Sequence, residues 1–525
     1  MKLKKSSLIG LLLVTGFLAQ AQSNVNVSFS QPIKASKQAV ILNSGQVNDN
    51  IYVIKLEKKE YSMLIYDANL KFQKEVMFKP KNCKGDDCID DRLSYKRSLF
   101  LKDRILIFFE IFEKDTQNRL LFCQAFSLKG DFIGKLTQVD NIPAEKKSNS
   151  GNFLIEYSRD KTKFVVIQVP AYEKNEEKKY GFKVYDASLK NLANTTVALP
   201  YLQKNTTVRN YFLSNRGDVY MLLKVKYEKD QKQRGEDDEF FSILSLNTSG
   251  DNSLSEYKIQ LPQKNIVSVD LQLNDETETV ACAGLYANIK TTVKATKDIS
   301  GVFYVNVDMK TGKMLSQSYK ELDKDMVARL LGKKEGAKVK EDKGIQSTFS
   351  IEDFAKLPDG SAYLIAENSF INAITTCGKY GCVTRYEYHY RNVLAIGISP
   401  KGEIQSLTDI PKRQIGSSVT RVFMKHLMMQ KDNRVFILYN DDPKNMSADA
   451  KTVRDVKPFS KVNNGALILA ELLPNGSYSK TQIFSNKERQ VVAQPRDGFR
   501  LEDGKYIVPL KIKGTDFGFI RLDIK

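Results

Sequence analysis

The chain has 525 residues, 42% of them hydrophobic, with 28 Phe, 24 Tyr, no Trp and a formal charge of +19. Its aromatic content supplies ample core for a large β protein, and its lack of Trp removes the commonest sugar-stacking platform. The positive excess either favours weakly anionic partners or keeps the protein soluble by self-repulsion, and its lysines are too scattered for a nucleic-acid surface.

The N-terminus reads as an export signal. Lys2, Lys4 and Lys5 precede an apolar run from Leu8 to Ala19, and Ala19-Gln20-Ala21 has the small-x-small form of a cleavage site. Residues 1–21 are therefore expected to be removed, leaving Gln22 first in a periplasmic or extracellular chain. The apolar run is short for a bilayer span, and no other stretch approaches the roughly 20 apolar residues one requires.

From residue 22 onward a strand–turn–strand phrase recurs. It appears at Tyr66–Lys71, Ser127–Asp131, Tyr185–Lys190, Asn247–Asp251, Asp308–Lys313, Ser399–Glu403 and Pro474–Ser477. A last half copy, Arg521–Lys525, ends the chain. A fixed period of this size marks a repeat architecture. Each repeat divides into four strands. In the second these are Tyr95–Leu101, Ile105–Glu113, Arg119–Leu128 and Phe132–Val139; in the fourth, Val208–Ser214, Val219–Tyr227, Glu239–Leu246 and Leu254–Leu261. The middle strands are nearly continuous apolar runs, as burial on both faces demands, whereas the outer strands alternate. The eighth repeat supplies only Gln490–Gln494, Lys505–Ile512 and Phe517–Ile524. Asn24–Phe29, alternating Val25, Val27 and Phe29, is the candidate for its missing outer strand. These features predict an all-β, eight-bladed β-propeller over residues 22–525 as a single domain; seven blades is the alternative count.

Turns within a repeat are short and rich in turn formers, as in Asn215–Asp218, Pro358–Gly360 and Glu502–Gly504. Long connections fall at Lys79–Ser94, Glu228–Asp238, Lys320–Gly344, Glu367–Tyr386 and Asn440–Asn464. In an antiparallel blade all of these emerge on one side of the ring, so one face is expected to carry the insertions and any binding. The insertion 320–344 contains an apolar stripe, Met326, Val327, Leu330 and Leu331, that predicts a short helix. Lys333–Lys343 is charge-rich.

Of six cysteines, Cys83 with Cys88 and Cys377 with Cys382 have the spacing of loop-stapling disulfides in an oxidising compartment. Cys123 and Cys282 sit in apolar strands as small hydrophobes. The two histidines are far apart, and H-E-x-x-H, G-x-S-x-G, G-x-x-x-x-G-K-[ST] and G-x-G-x-x-G are all missing. No catalytic residue, metal or cofactor is expected.

Three constellations remain as candidate binding residues. Tyr386 to Arg391 alternates, sending Tyr386, Tyr388 and Tyr390 to one face and Glu387, His389 and Arg391 to the other; it is either an aromatic rim or blade-to-blade packing. In the segment Ile410–Gln414, containing Lys412, Arg413 and Gln414, Arg413 either holds an anion or caps a loop. Tyr439–Asn445, with Asn440, Asp441 and Asp442, suits either a hard cation or an Asx-type turn before proline. Asp86, Asp87, Asp90 and Asp91 admit the same two readings.

Asp359–Glu367, Ile410–Gln414 and Tyr439–Asn445 resemble segments of uncharacterised exported propeller-like proteins of Bacteroidota, and the Ala19–Gln22 signal end fits that group. The resemblance covers about a quarter of the chain and implies export and fold without naming a substrate. Two functions stay open: a non-catalytic scaffold recognising a protein or an anionic envelope polymer, and a glycan hydrolase or lyase whose acids converge in a central channel.

Overall fold

A computed structural model describes residues 25–36, 39–80, 92–228, 239–289, 298–333, 348–379, 381–446, 452–512 and 514–525, together with the backbone of 83–84 and 87–88. The signal segment, the acidic cluster around Asp86 and most of the charge-rich Lys333–Lys343 lie outside the described residues.

The strands assemble in chain order into antiparallel sheets of four or five strands. The first spans residues 40–78, the second 94–143, the third 152–202, the fourth 206–259, the fifth 264–321, the sixth 349–416 and the seventh 426–485. The predicted strands recur within a residue or two: Ser94–Phe100, Arg104–Glu113 and Asn118–Ser127 in the second sheet, and Val219–Lys226 and Glu239–Leu246 in the fourth. Phe132–Pro143 runs four residues beyond its expected end, to pair with the start of Asn118–Ser127.

A further sheet joins the two ends of the chain. Val25–Phe29 pairs antiparallel with Phe517–Ile524 in the register Val25 to Ile524 and Phe29 to Ile520, completing a sheet with Val491–Ala493 and Tyr506–Ile512. Its inner strand is interrupted at residues 494–498 by a 3-10 turn, resumes as Phe499–Arg500, and turns at Leu501–Lys505 as the other inner strands do.

Apolar clusters lie between consecutive sheets. Tyr52, Ile54 and Met63 of the first meet Ile107, Phe109 and Phe122 of the second, and comparable clusters follow at each later interface. One more packs Ile51, Val53 and Tyr66 of the first sheet against Ile507, Phe517 and Phe519 of the last. Four-stranded antiparallel sheets stacked face to face and closed end to end are a β-propeller. The middle strands are buried on both sides for this reason, which explains runs such as Ile105–Phe109, each 0% exposed.

Residues Lys324–Leu330 form the predicted helix, capped by the Asp323 side chain on the Met326 N–H and buried through Met326, Val327 and Leu330 between the fifth and sixth sheets. One expectation fails. Glu367–Tyr386 is not a loop: Ala362–Gly378 and Gly381–Ile398 continue as a long β-hairpin, whose β-branched residues keep the ladder paired to its tip. Cys377 and Cys382 face each other there and form a disulfide. Cys83 and Cys88 are also opposite in a short ladder, but their side chains lie outside the described residues. Cys123 and Cys282 are free and buried.

Val25 is 5% exposed and packs among the seventh-to-last-sheet cluster, whereas Val27 on the same strand is 36% exposed. Val25→Ala is expected to cost about 2 kcal/mol and Val27→Ala under about 0.5 kcal/mol. Equal urea midpoints for the two variants would show that terminal-strand closure is not part of the cooperative fold.

Candidate functional site on the insertion-bearing face

Every connection from a first to a second strand is short, the ranges being 48–49, 101–103, 158–162, 214–218, 275–278, 357–361, 432–433 and 501–505. The third-to-fourth turns are short as well, the longest spanning residues 247–253. The helix, the disulfide-tipped hairpin and residues 442–446 and 452–465 all emerge at the opposite ends of the strands. The sixth and seventh sheets contribute most of this material, and their junction contains an unusual polar core.

Lys412 and Glu367 are both 0% exposed, and Lys412 Nζ donates to Glu367 Oε1 at 2.6 Å and to Gln414 Oε1 at 3.0 Å. His426 Nδ1 lies 3.2 Å from the same Glu367 oxygen, and its Nε2 lies 3.6 Å from Asp353 Oδ2. Gln414 Nε2 donates to the Asn440 carbonyl at 2.7 Å, and Asn440 Nδ2 donates to the carbonyls of Phe423 and Ala493, both at 2.9 Å. Six strands from three sheets are tied together in this way. Buried charges persist only when paired and hydrogen-bonded, as these are.

The charges fix one another's protonation. Burial opposes ionisation of Glu367, but Lys412 and then His426 outweigh it and hold the carboxyl well below its usual range. Burial also disfavours imidazolium, yet the carboxylates of Asp353 and Glu367 lift the His426 pKa to about 9. An imidazole locked in its charged form between two acids is poorly suited to act as a general base near neutrality.

This arrangement corrects the sequence-based reading of four candidates. Lys412, Gln414, Asn440 and Asp441 converge, but at 0%, 0%, 0% and 1% exposure they are core groups rather than a binding surface. Burial raises the Asp441 pKa to about 6, while its carboxylate accepts from Asn445 Nδ2 at 2.8 Å. Asp442 accepts from the Lys444 N–H at 2.9 Å, the Asx-type turn before Pro443. The alternation of Tyr386 to Arg391 is present. Tyr390 is buried with Met424 and Phe459, and Tyr388 lies under the Arg421 guanidinium at 5.1 Å. On the other side His389 stacks on Phe370 at 4.6 Å, and Arg391 covers that ring at 4.6 Å. Burial, and then the charges of Arg391 and Arg413, lower the His389 pKa.

Arg413 is held differently from its neighbours. Along Lys412 to Gly416 burial alternates, so Arg413 is half-exposed between two fully buried side chains. Gln414–Gly416 pairs with Tyr388–Tyr390, and the Phe459 N–H donates to the Arg413 carbonyl at 2.8 Å. The backbone is thereby clamped on both sides, aiming Arg413 into a cleft of about 540 Å³ with Arg391 and Arg454. Sequence reading singled out Arg391 and Arg413; it missed Arg454, whose only local signal is a basic residue in a long connection.

Carboxylates of the inner strands have partners of their own. Glu156 pairs with Arg97 at 3.1 Å, Asp270 accepts from Asn210 at 3.0 Å, and Asp353 faces His426.

No family model matches the chain, and no curated protein matches it. Solved structures do. The chain is similar to the WD40 domain of SCAP from fission yeast, at 8% identity and a TM-score of 0.41, over 95% of each chain. It is similar to the quinohemoprotein alcohol dehydrogenase ADHIIG from Pseudomonas putida HK5, at 10% identity and a TM-score of 0.43, over 95% of this chain and 76% of that one. A third likeness is to prolyl endopeptidase, at 9% identity and a TM-score of 0.40, over 91% of this chain. The chain spans only 55% of that enzyme's length. Likenesses at this level bear on neither ligand nor reaction.

Glu367→Gln keeps the shape of the polar core but leaves Lys412 and His426 without their shared counter-charge, and is expected to cost about 3–5 kcal/mol at pH 7. Because the folded pKa of His426 is raised, its contribution is fully present below pH 6.5 and is lost as pH rises through about 9. Glu367 acts oppositely: its contribution is full above pH 4.5 and falls as acid protonates it. Urea midpoints at pH 6, 8 and 10 should therefore decline more for the wild type than for His426→Gln. Parallel declines would refute the assignment.

Proposed function

We propose that the protein is an exported, eight-bladed β-propeller acting as a non-catalytic binding scaffold, which recognises a protein or an anionic envelope polymer through its insertion-bearing face. The eight sheets would be its blades, and residues 1–21 its cleaved signal. The observation that carries this reading is the one-sidedness of the connections, which range no longer than residues 247–253 on one face yet build a helix, a hairpin and the segments 442–446 and 452–465 on the other. Chain inserted at random would be spread over both faces. Binding residues favour loops positioned by a rigid scaffold, and the paired sheets supply that rigidity. The disulfide at the hairpin tip is consistent with an oxidising compartment. Among the described residues no helix is long and apolar enough to cross a membrane.

A hydrolase or lyase acting in the channel draws less support, since Glu156, Asp270 and Asp353 each face a polar or cationic partner.

The test removes the face and leaves the ring. Replacing residues 371–388 by Asn-Gly joins Phe370 to His389, which are already opposite each other in the hairpin. Co-purification from the envelope fraction is expected to lose its specific partner with this variant while the thermal midpoint shifts by less than about 3 °C. A matched change in the 309–312 turn should leave the partner bound. Undiminished recovery with the shortened hairpin would remove the hairpin from the interface.

A further inference from the structure

Arg391, Arg413 and Arg454 reach their cleft from three separate places: the third strand of the sixth sheet, the segment leaving its fourth, and the connection within the seventh. Phe370, Leu331 and Val453 supply its apolar wall. No Asp or Glu is among the described residues that line it. Nearby carboxylates are engaged elsewhere: Glu367 with Lys412 and His426, Glu387 with Arg385 and His389, Asp409 with Asn392, and Asp455 with Thr452.

Like charges brought together are unfavourable, and the cleft holds these with no acid among the described residues that line it. Arg391 is pinned over Phe370, with its Nε buried and unpartnered among the described residues. Burial, and then the charges of Arg413 and Arg454, lower the Arg391 pKa, the mark of a cation lacking an acid. Arg413 is aimed by the clamped backbone described above. Arg454 lies across Gly332, just beyond the end of the short helix. Gly332 has a φ of +71°, which favours glycine, and a Cβ there would sit 3.0 Å from Arg454 Cγ, so a side chain at 332 would press on Arg454.

Resting on the reading of this face as a binding surface, we propose that the three-arginine cleft is a receptor for an organic phosphate monoester, a compact dianion carried on an apolar body. A monoanion would leave two guanidinium charges facing each other, whereas a dianion nearly neutralises the set. The planar donor fork of each arginine fits oxyanion oxygens two at a time. Phe370, Leu331 and Val453 cover the body that carries the ester.

Calorimetric titration of the mature full-length chain at constant ionic strength tests this, with phenyl phosphate, phenyl sulfate, inorganic phosphate and chloride as probes. Saturable binding of phenyl phosphate is expected, at least about tenfold tighter than the monoanionic phenyl sulfate or inorganic phosphate, with none for chloride. Arg413→Gln and the exposed Arg454→Gln should each weaken the ester about tenfold or more, with unchanged melting curves. Arg385→Gln, on the same hairpin but outside the cleft, should leave the isotherm as it was. Absence of saturable heat with phenyl phosphate overturns the proposal. So does phenyl sulfate or inorganic phosphate binding as tightly as phenyl phosphate, or an isotherm indifferent to both Arg413→Gln and Arg454→Gln. Failure here, with partner loss on hairpin removal retained, would leave the scaffold reading intact and refute only its ligand chemistry.

Discussion

Face-to-face packing of sheets is the constraint on which everything else in this molecule depends. A four-stranded sheet with two apolar faces cannot satisfy both alone; it needs a neighbour on either side. Each interface cluster meets that need for one pair of sheets, and the contact of Tyr66 with Phe519 closes the series. The last sheet has its outer strand only because Val25–Phe29 pairs with Phe517–Ile524. Closure covers the apolar faces that an open stack of sheets would present at its two ends.

The junction of the sixth and seventh sheets departs from this apolar scheme. Beside its apolar cluster, Lys412, Glu367, His426 and Gln414 form a charged network lacking solvent exposure. Such networks gain little net stability over apolar packing, but they impose specific geometry. Here that geometry has a direct structural consequence. With Lys412 and Gln414 fixed inside, the intervening Arg413 points the other way, and pairing of Gln414–Gly416 with the hairpin places it beside Arg391. The buried network and the basic cleft are two sides of one short segment.

Much of the fold was legible along the chain because strand and turn signals are local. The recurring turn phrases, the continuous apolar middle strands and the alternation of Val25, Val27 and Phe29 each predict what the structure contains. Cys377 and Cys382 were legible as a pair from spacing alone. The hairpin was read as a loop because polar and β-branched residues such as Asn372, Thr375 and Thr384 carry no buried face, and their ladder is held by backbone pairing rather than by a core. Lys412 was read as a surface group for a related reason: a lysine becomes a core residue only when a distant Glu367 arrives to meet it.

The amino-acid order by itself determined the strands outside the long hairpin, their turns, the short helix and the side of the ring on which insertions emerge, since each follows from periodicity and short-range hydrogen bonding. Only the tertiary structure decided which polar residues are interior and which three arginines share a cleft. Burial and charge proximity are properties of groups brought together from separate strands, and residues 391, 413 and 454 acquire a common role only once the sixth and seventh sheets have packed.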